Sequence, residues 1–448
     1  MAKPSQKSRL CPDPIPHPED TVIPALGKAK IDSPLRHGRF ISDDSRVLLD
    51  VHTTSCDTRG DNTSSMEEAG PREKIYFDPS KTKCAVVTAG GLCPGINDVI
   101  RSIVLEAFHN YGVSAVMGIR YGLEGFIPKY GHEIMELNPM AVSRIHQFGG
   151  TILGSSRGPQ SIDGIVDALE RLNINILFMI GGDGTMRAAE KIQQEIAGRD
   201  LRIGIIGIPK TIDNDIQYVS TTFGFDTAVG KACEAIDCAH TEANGAPNGI
   251  GLVKVMGRES GFIAAQASMA LKDVNFVLVP EDPFELDGET GLLKALERRI
   301  RRRGHAVIVT AEGAGQDLLK STGQTDASGN PVLGDIASLL IGSIKDHFKK
   351  AGIDMTLKYI DPSYIIRSVP ANTNDRIYCG FLGQNAVHAG MAGKTAMMVS
   401  RWNSQYVNVP LQLITRGGRK RIDTCSNYWR SVLESTGQLS YFQGDGVV

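Results

Sequence analysis

The chain has 448 residues, 41% of them hydrophobic and 22% charged, with a formal net charge of −2. That length exceeds what one hydrophobic core usually fills, so two domains plus extensions are expected. The near-neutral balance excludes a nucleic-acid backbone as the main partner, and no stretch approaches the roughly 18 consecutive apolar residues of a membrane helix.

The first residues, MAKPSQKSRLCPDPIPHPED, lack the apolar centre of a secretory signal. Eight cysteines show no C-x-x-C spacing, which argues against a zinc site or a disulfide framework and for a reduced, cytoplasmic setting. Residues 1–82 are rich in Pro, Ser, Asp and Thr, with one compact apolar run at Val47-Leu48-Leu49. Composition predicts a partly disordered N-terminal arm there, or one that drapes over the core.

From Lys83 a unit recurs: an apolar run, a Gly- or Asp-bearing turn, then an amphipathic segment. Cys84–Val87 leads into Gly90-Gly91 and a helical pattern closed by Gly112. The run 176–180 leads into Gly181-Gly182-Asp183-Gly184-Thr185 and a helix over MRAAEKIQQEIAG. The run 203–208 leads into Pro209-Lys210-Thr211-Ile212-Asp213-Asn214-Asp215. Three further runs, at 249–255, 275–279 and 306–309, end respectively at Met256-Gly257-Arg258, Pro280-Glu281-Asp282 and Ala311-Glu312-Gly313. Continuous aliphatic runs alternating with helices predict parallel strands buried on both faces of a doubly wound α/β sheet. Ligands of such sheets bind outside the carboxyl ends of the strands, so these polar turns are expected to converge on one cleft. The arginines at 298–303 end a helix and read as a solvated face complementing its dipole.

Each turn admits two readings. Gly90-Gly91 is a tight connection or a place where backbone N–H groups approach a phosphate. It fits neither G-x-G-x-x-G nor the P-loop pattern. Asp183 is a turn-former or a Mg²⁺ ligand, since Mg²⁺ takes one or two carboxylates plus phosphate oxygens and water. Asp213 and Asp215, two residues apart, are turn chemistry or a carboxylate pair in which one pKa is raised and one group accepts a hydroxyl proton. Arg157, Arg258 and Arg367 are surface ion-pair partners or phosphate forks.

Taken together and in this order, GGLCPGIN, GTILGSSRG, GGDGT, PKTIDND, MGRESGF, AEGAGQD and DPSYIIR resemble the 6-phosphofructokinase family, from about Lys83 to Arg416. The combination of GGDGT with PKTIDND is most similar to its long-chain plant and trypanosome branch. The resemblance implies two doubly wound α/β domains with an active-site cleft between them. Residues 83–224 with about 366–416 would form the donor domain, and 225–365 with the tail 417–448 the sugar-phosphate domain. It implies an allosteric, Mg²⁺-dependent kinase acting on ATP and fructose 6-phosphate, and a homo-oligomer, dimer or tetramer. Asp213 would be the base, with Thr211 and Arg258 beside it, and Asp183 the metal ligand. Gly90, Arg157, Gly158, Gly182, Asp183, Gly184, Thr185 and Lys210 would face the donor. Thr211, Ile212, Asp213, Met256, Gly257, Arg258, Glu312, Tyr364, Ile365, Ile366 and Arg367 would face the sugar phosphate. Tyr364 stands where the short bacterial enzymes carry His. Leu123 falls in a region where they carry an aromatic, and Gly249 lies near an arginine they supply across a subunit interface. Gly184 matches ATP users and Lys210 matches pyrophosphate users, so a pyrophosphate-dependent enzyme is the alternative. Other G-G-D-G-[ST] kinases leave PKTIDND and MGR without an account, and a non-catalytic regulatory subunit would be expected to have lost Asp183 or Asp213.

Overall fold

Strands made of unbroken aliphatic runs must be covered on both faces, and the chain achieves this by alternating them with helices. The computed structural model describes residues 16–51, 64–320, 323–325 and 329–439. In chain order the strands are β1 (Ile31–Asp32), β2 (Arg46–Leu48), β3 (Ser65–Glu68), β4 (Lys74–Ile75), β5 (Lys83–Thr88), β6 (Ala115–Ile119), β7 (Met135–Leu137) and β8 (Ile176–Gly181). They continue as β9 (Gly204–Pro209), β10 (Gly249–Val255), β11 (Phe276–Leu278), β12 (His305–Ala311), β13 (Thr356–Ile360), β14 (Met397–Trp402) and β15 (Gln405–Pro410). The helices are α1 (Ile96–Leu105), α2 (Ile162–Arg171), α3 (Asp183–Gly198), α4 (Phe225–Asn244), α5 (Phe262–Leu271) and α6 (Leu292–Arg303). Then follow α7 (Ile336–Lys350), α8 (Ser363–Ser368), α9 (Thr373–Met391), α10 (Leu411–Arg416) and α11 (Asn427–Thr436).

Two large sheets result. One has nine strands in the order β2-β3-β15-β14-β9-β8-β5-β6-β7, and the other four in the order β11-β12-β10-β13. The second is wholly parallel. In the first, β6, β5, β8, β9 and β14 run parallel, while β7, β15, β3 and β2 add antiparallel margins. This is the expected mainly parallel α/β architecture. Strand β8 shows why: Ile176, Leu177, Phe178, Met179 and Ile180 are all sealed from solvent. Full burial of each such side chain contributes about 1.5–3 kcal/mol before entropy is set against it.

In the N-terminal segment β2 and β3 join the nine-stranded sheet, while residues 1–15 and 52–63 lie outside the described residues. Glu67 and Glu68 pair with Asn408 and Val407 of β15, more than 300 positions away in the chain. Buried Arg72 donates to Glu67 and to Asp43. Composition registers none of this, because the partners come from the far end of the sequence.

The C-terminal return is equally long-range. After the β14–β15 hairpin, α10 packs on α3, the segment 417–422 crosses between the two sheets, and α11 packs on α5.

Candidate active site

The site is assembled where β5, β8, β9, β10 and β12 end. On the donor side Gly90 has φ +87°, and a Cβ placed there would lie 3.2 Å from Lys210 Nζ. Glycine thus supplies both the left-handed backbone and the space for that ammonium. Lys210 itself is buried and donates from Nζ to the Gly91 carbonyl at 2.6 Å. Burial pushes its pKa down, and the charge of Arg157 adds to that, against Asp213 and Asp215. A Cβ added at Gly91 would meet Arg157 Nη2 at 3.4 Å and Arg367 Nη1 at 3.9 Å, so both guanidiniums converge on this turn.

Asp183 occupies the first turn of α3, with Gly182 as N-cap and no side-chain cap. The exposed N–H groups of a sixteen-residue helix therefore face the same space as Gly182 and Gly184. A Cβ at Gly184 would meet nothing within 4 Å. Thr185 is turned inward against Gly181. Asp183 Oδ2 accepts from Arg187 Nε at 3.0 Å, and Arg187 Nη1 in turn donates to the Thr415 carbonyl at 2.6 Å. Among the described residues no group of three or more His, Cys, Asp or Glu side chains could hold a metal. A cation at Asp183 that drew further ligands from phosphate and water would follow the habit of Mg²⁺.

The turn after β9 is locked by its own side chains. Thr211 Oγ1 accepts from the Asp213 N–H at 3.1 Å and donates to Asp215 Oδ1 at 2.9 Å. Asn214 adopts φ +55°, and its Oδ1 accepts from the Thr222 N–H. The consequence is that Asp213 and Asp215 do different things. Asp215 is buried and paired with Arg419 at 3.0 Å. Asp213 Oδ1 is sealed from solvent with no hydrogen-bond partner among the described residues. Burial holds the Asp213 carboxyl well above the usual carboxylate range, Asp215 and Glu312 push it further, and Arg419 and Lys210 oppose them.

On the acceptor side Ser260 Oγ donates to the Asp213 carbonyl at 3.0 Å, which ties the MGRES turn to the TIDND turn. The Gly313 N–H donates to the Gly257 carbonyl at 3.0 Å, bringing Glu312 alongside Met256 and Arg258. Burial raises the Glu312 pKa, while Lys254, Arg258 and Arg367 work against it. Arg258 Nη2 donates to the Pro331 carbonyl. Tyr364 is 74% exposed and lies under the Arg367 guanidinium, 5.0 Å from ring centroid to Cζ. Ile365 is exposed, whereas Ile366 is fully buried and Ile212 nearly so. The side chains of Ile212 and Ile366 therefore face the core, which leaves only their backbone to the cleft. Gly158, with φ +101°, sits in the loop that carries Arg157.

Sequence reasoning assigned no role to Arg187, Glu259, Glu281, Arg419 or Lys420. The signal for the last two was a basic run after two glycines, Gly417-Gly418-Arg419-Lys420-Arg421. Lys420 Nζ donates to Asn214 Oδ1, to the Val219 carbonyl and to the Ser220 carbonyl. Glu281 accepts from the N–H groups of Gly261 and Ile422.

Residues 83–390 match the family profile described as Phosphofructokinase. The chain belongs to the phosphofructokinase family. Over 435 residues it is 47% identical to a protein of Borreliella burgdorferi named ATP-dependent 6-phosphofructokinase, covering 94% of this chain and 97% of that one. It is 48% identical over 376 residues to ATP-dependent 6-phosphofructokinase 7 of Arabidopsis thaliana, covering 83% and 77%. The fold matches the crystal structure of a pyrophosphate-dependent phosphofructokinase from Marinobacter aquaeolei with a TM-score of 0.65 at 21% identity, over 79% of this chain and 91% of that one. No described helix is long and apolar enough to cross a membrane.

Proposed function

We propose that this chain transfers the γ-phosphoryl group of ATP to the C1 hydroxyl of fructose 6-phosphate, forming fructose 1,6-bisphosphate as a glycolytic 6-phosphofructokinase. The observation that carries the reading is Asp213: a carboxylate whose Oδ1 is sealed and has no hydrogen-bond partner among the described residues, where donor-side and acceptor-side turns meet. It stands in a chain whose near-full-length relative bears that activity in its name.

Asp213 takes the proton of the C1 hydroxyl as that oxygen attacks the γ-phosphorus; the bond to the bridging β–γ oxygen breaks and ADP leaves. Thr211 holds the turn in register for this step. Asp183 would hold Mg²⁺, which when bound would offset the negative charge of the donor phosphates. The α3 N-terminus, Lys210 and Arg157 address the donor phosphates; Arg258, Arg367, Glu312 and Tyr364 address the sugar phosphate. Residues 83–224 with about 366–416 serve as donor domain and 225–365 with 417–448 as acceptor domain, a division supported by the separate sheets. The described cysteines are free thiols, which suits a cytoplasmic enzyme. A homo-oligomer, dimer or tetramer, belongs to the same reading and is measured by light scattering.

The open space at Gly184 favours ATP, because the rest of a nucleotide needs it. Buried Lys210 is the feature that favours pyrophosphate. A coupled assay with both donors side by side decides: the expected result is turnover with ATP, and turnover with pyrophosphate alone would reverse the assignment.

A further inference from the structure

The segment 417–422 ties together two turns of the proposed machinery without having been assigned to it. It follows α10, whose Thr415 carbonyl accepts from Arg187, the partner of Asp183. At its centre, Arg419 Nη1 pairs with Asp215 Oδ2 at 3.0 Å and Arg419 Nε lies 3.5 Å from Glu259 Oε1. Asp215 belongs to the turn that carries Asp213, and Glu259 to the turn that carries Arg258. One guanidinium therefore spans the two turns that must meet for phosphoryl transfer. The Lys420 N–H donates to the Asp215 carbonyl at 2.9 Å, Arg421 pairs with Glu259 at 3.2 Å, and the Ile422 N–H donates to Glu281 at 2.9 Å. The Arg419 side chain is 22% exposed and that of Asp215 9%, so solvent screens this pair far less than a surface ion pair.

We propose that Arg419 is a positioning residue for phosphoryl transfer: it bridges Asp215 and Glu259, fixes the turn bearing the base against the acceptor-side turn, and keeps a cation beside Asp213. This rests on the reading of Asp213 as base. Two features make arginine the residue for the task. Its planar fork reaches two carboxylates at once, and it stays charged at any working pH. The charges facing Asp213 are the anions of Asp215 and Glu312 and the cations of Arg419 and Lys210, with the neutral thiol of Cys93 beside them. Arg419 faces Asp215, Glu259 and Asp183. Removing Arg419 leaves Asp213 with two anions against one cation, so its proton is harder to lose and the base is present only at higher pH.

The test compares Arg419→Gln, Arg419→Lys and Lys420→Met with the wild-type enzyme in pH profiles of kcat and kcat/KM. Lys420 anchors the same segment through Asn214, Val219 and Ser220 but does not bridge the two turns. Arg419→Gln should lower kcat at least about 10-fold, with KM for ATP changing much less, and move the acid limb to higher pH. Arg419→Lys should keep the limb near its wild-type position, because the charge remains, while kcat still falls several-fold because the fork is lost. Lys420→Met should lower thermal stability and leave the limb in place. An Arg419→Gln limb identical to wild type, or an Arg419→Lys enzyme with wild-type kcat, overturns the proposal. If Arg419→Gln does not fold, the kcat of Arg419→Lys decides alone. Wild-type protein inactive toward fructose 6-phosphate would overturn the proposed function as well, and so is distinguished from failure of this inference.

Discussion

Asp183 and Asp213 are the same residue type, each in a turn after a central strand of one sheet, yet their surroundings have little in common. Asp183 sits at the open N-terminus of α3, shares a carboxylate oxygen with Arg187, and borders the free space at Gly184. Asp213 is drawn beneath the acceptor-side turn with Oδ1 sealed and without a partner, and its pKa is raised by burial and by Asp215. A partly exposed carboxylate beside phosphates suits a cation; one that ionises reluctantly suits a proton acceptor. Environment, not residue type, separates the two roles.

The strongest way to break this contrast is to remove the base. Asp213→Ser should lower turnover by about 10²–10⁴ while fructose 6-phosphate binding, measured calorimetrically, stays close to wild type. A folded variant with near-normal turnover would return Asp213 to the status of a turn residue. Asp183→Asn keeps shape and removes charge; turnover should collapse by about 10²-fold or more and the Mg²⁺ titration should shift to higher concentration. An unchanged midpoint and rate would leave Asp183 only its place in the helix turn.

Gly184→Asp sharpens the same comparison by adding a second carboxylate to the open side. It should cut ATP-dependent kcat/KM at least about 100-fold, roughly 2.7 kcal/mol of transition-state stabilisation. Any pyrophosphate-dependent activity should fall far less, because that donor lacks the portion displaced. An equal loss with both donors would show that the space at 184 does not discriminate.

The smallest effect concerns the sealed side. The base acts when deprotonated, so kcat/KM falls as pH drops through the raised Asp213 pKa, and the acid limb lies above the ordinary carboxylate range. Asp215→Asn removes one of the anions that raise it, so the limb should move to lower pH. No movement, or movement upward, would mean that Asp215 does not set the pKa of Asp213.

Much of this was legible in the order of residues. The largely apolar runs at 84–87, 176–180 and 249–255 predicted buried parallel strands because short runs without polar alternation, set between turns and helical segments, suit strands covered on both faces. The turns at 181–185 and 209–215 were identifiable as sites because glycine and carboxylate pairs after such strands land at the sheet's carboxyl edge. The short run Val47-Leu48-Leu49 was a weaker signal: its partner strand β3 is held by β15, and β15 cannot be inferred from residues 1–82.

Sequence by itself determined the layer architecture, the family and the list of polar turns, since each depends on local periodicity or contiguous motifs. Tertiary structure decided which of Asp213 and Asp215 gains a charged partner: Arg419, 204 positions downstream of Asp215, joins the local Thr211 hydroxyl on Asp215 and leaves Asp213 Oδ1 without a partner among the described residues. A pairing across such a separation leaves no trace in the spacing of either residue, because it depends on where α10 and the segment after it return to the cleft. The physical reason is that charge and burial are properties of a location in the fold, and the chain reaches that location from both of its ends.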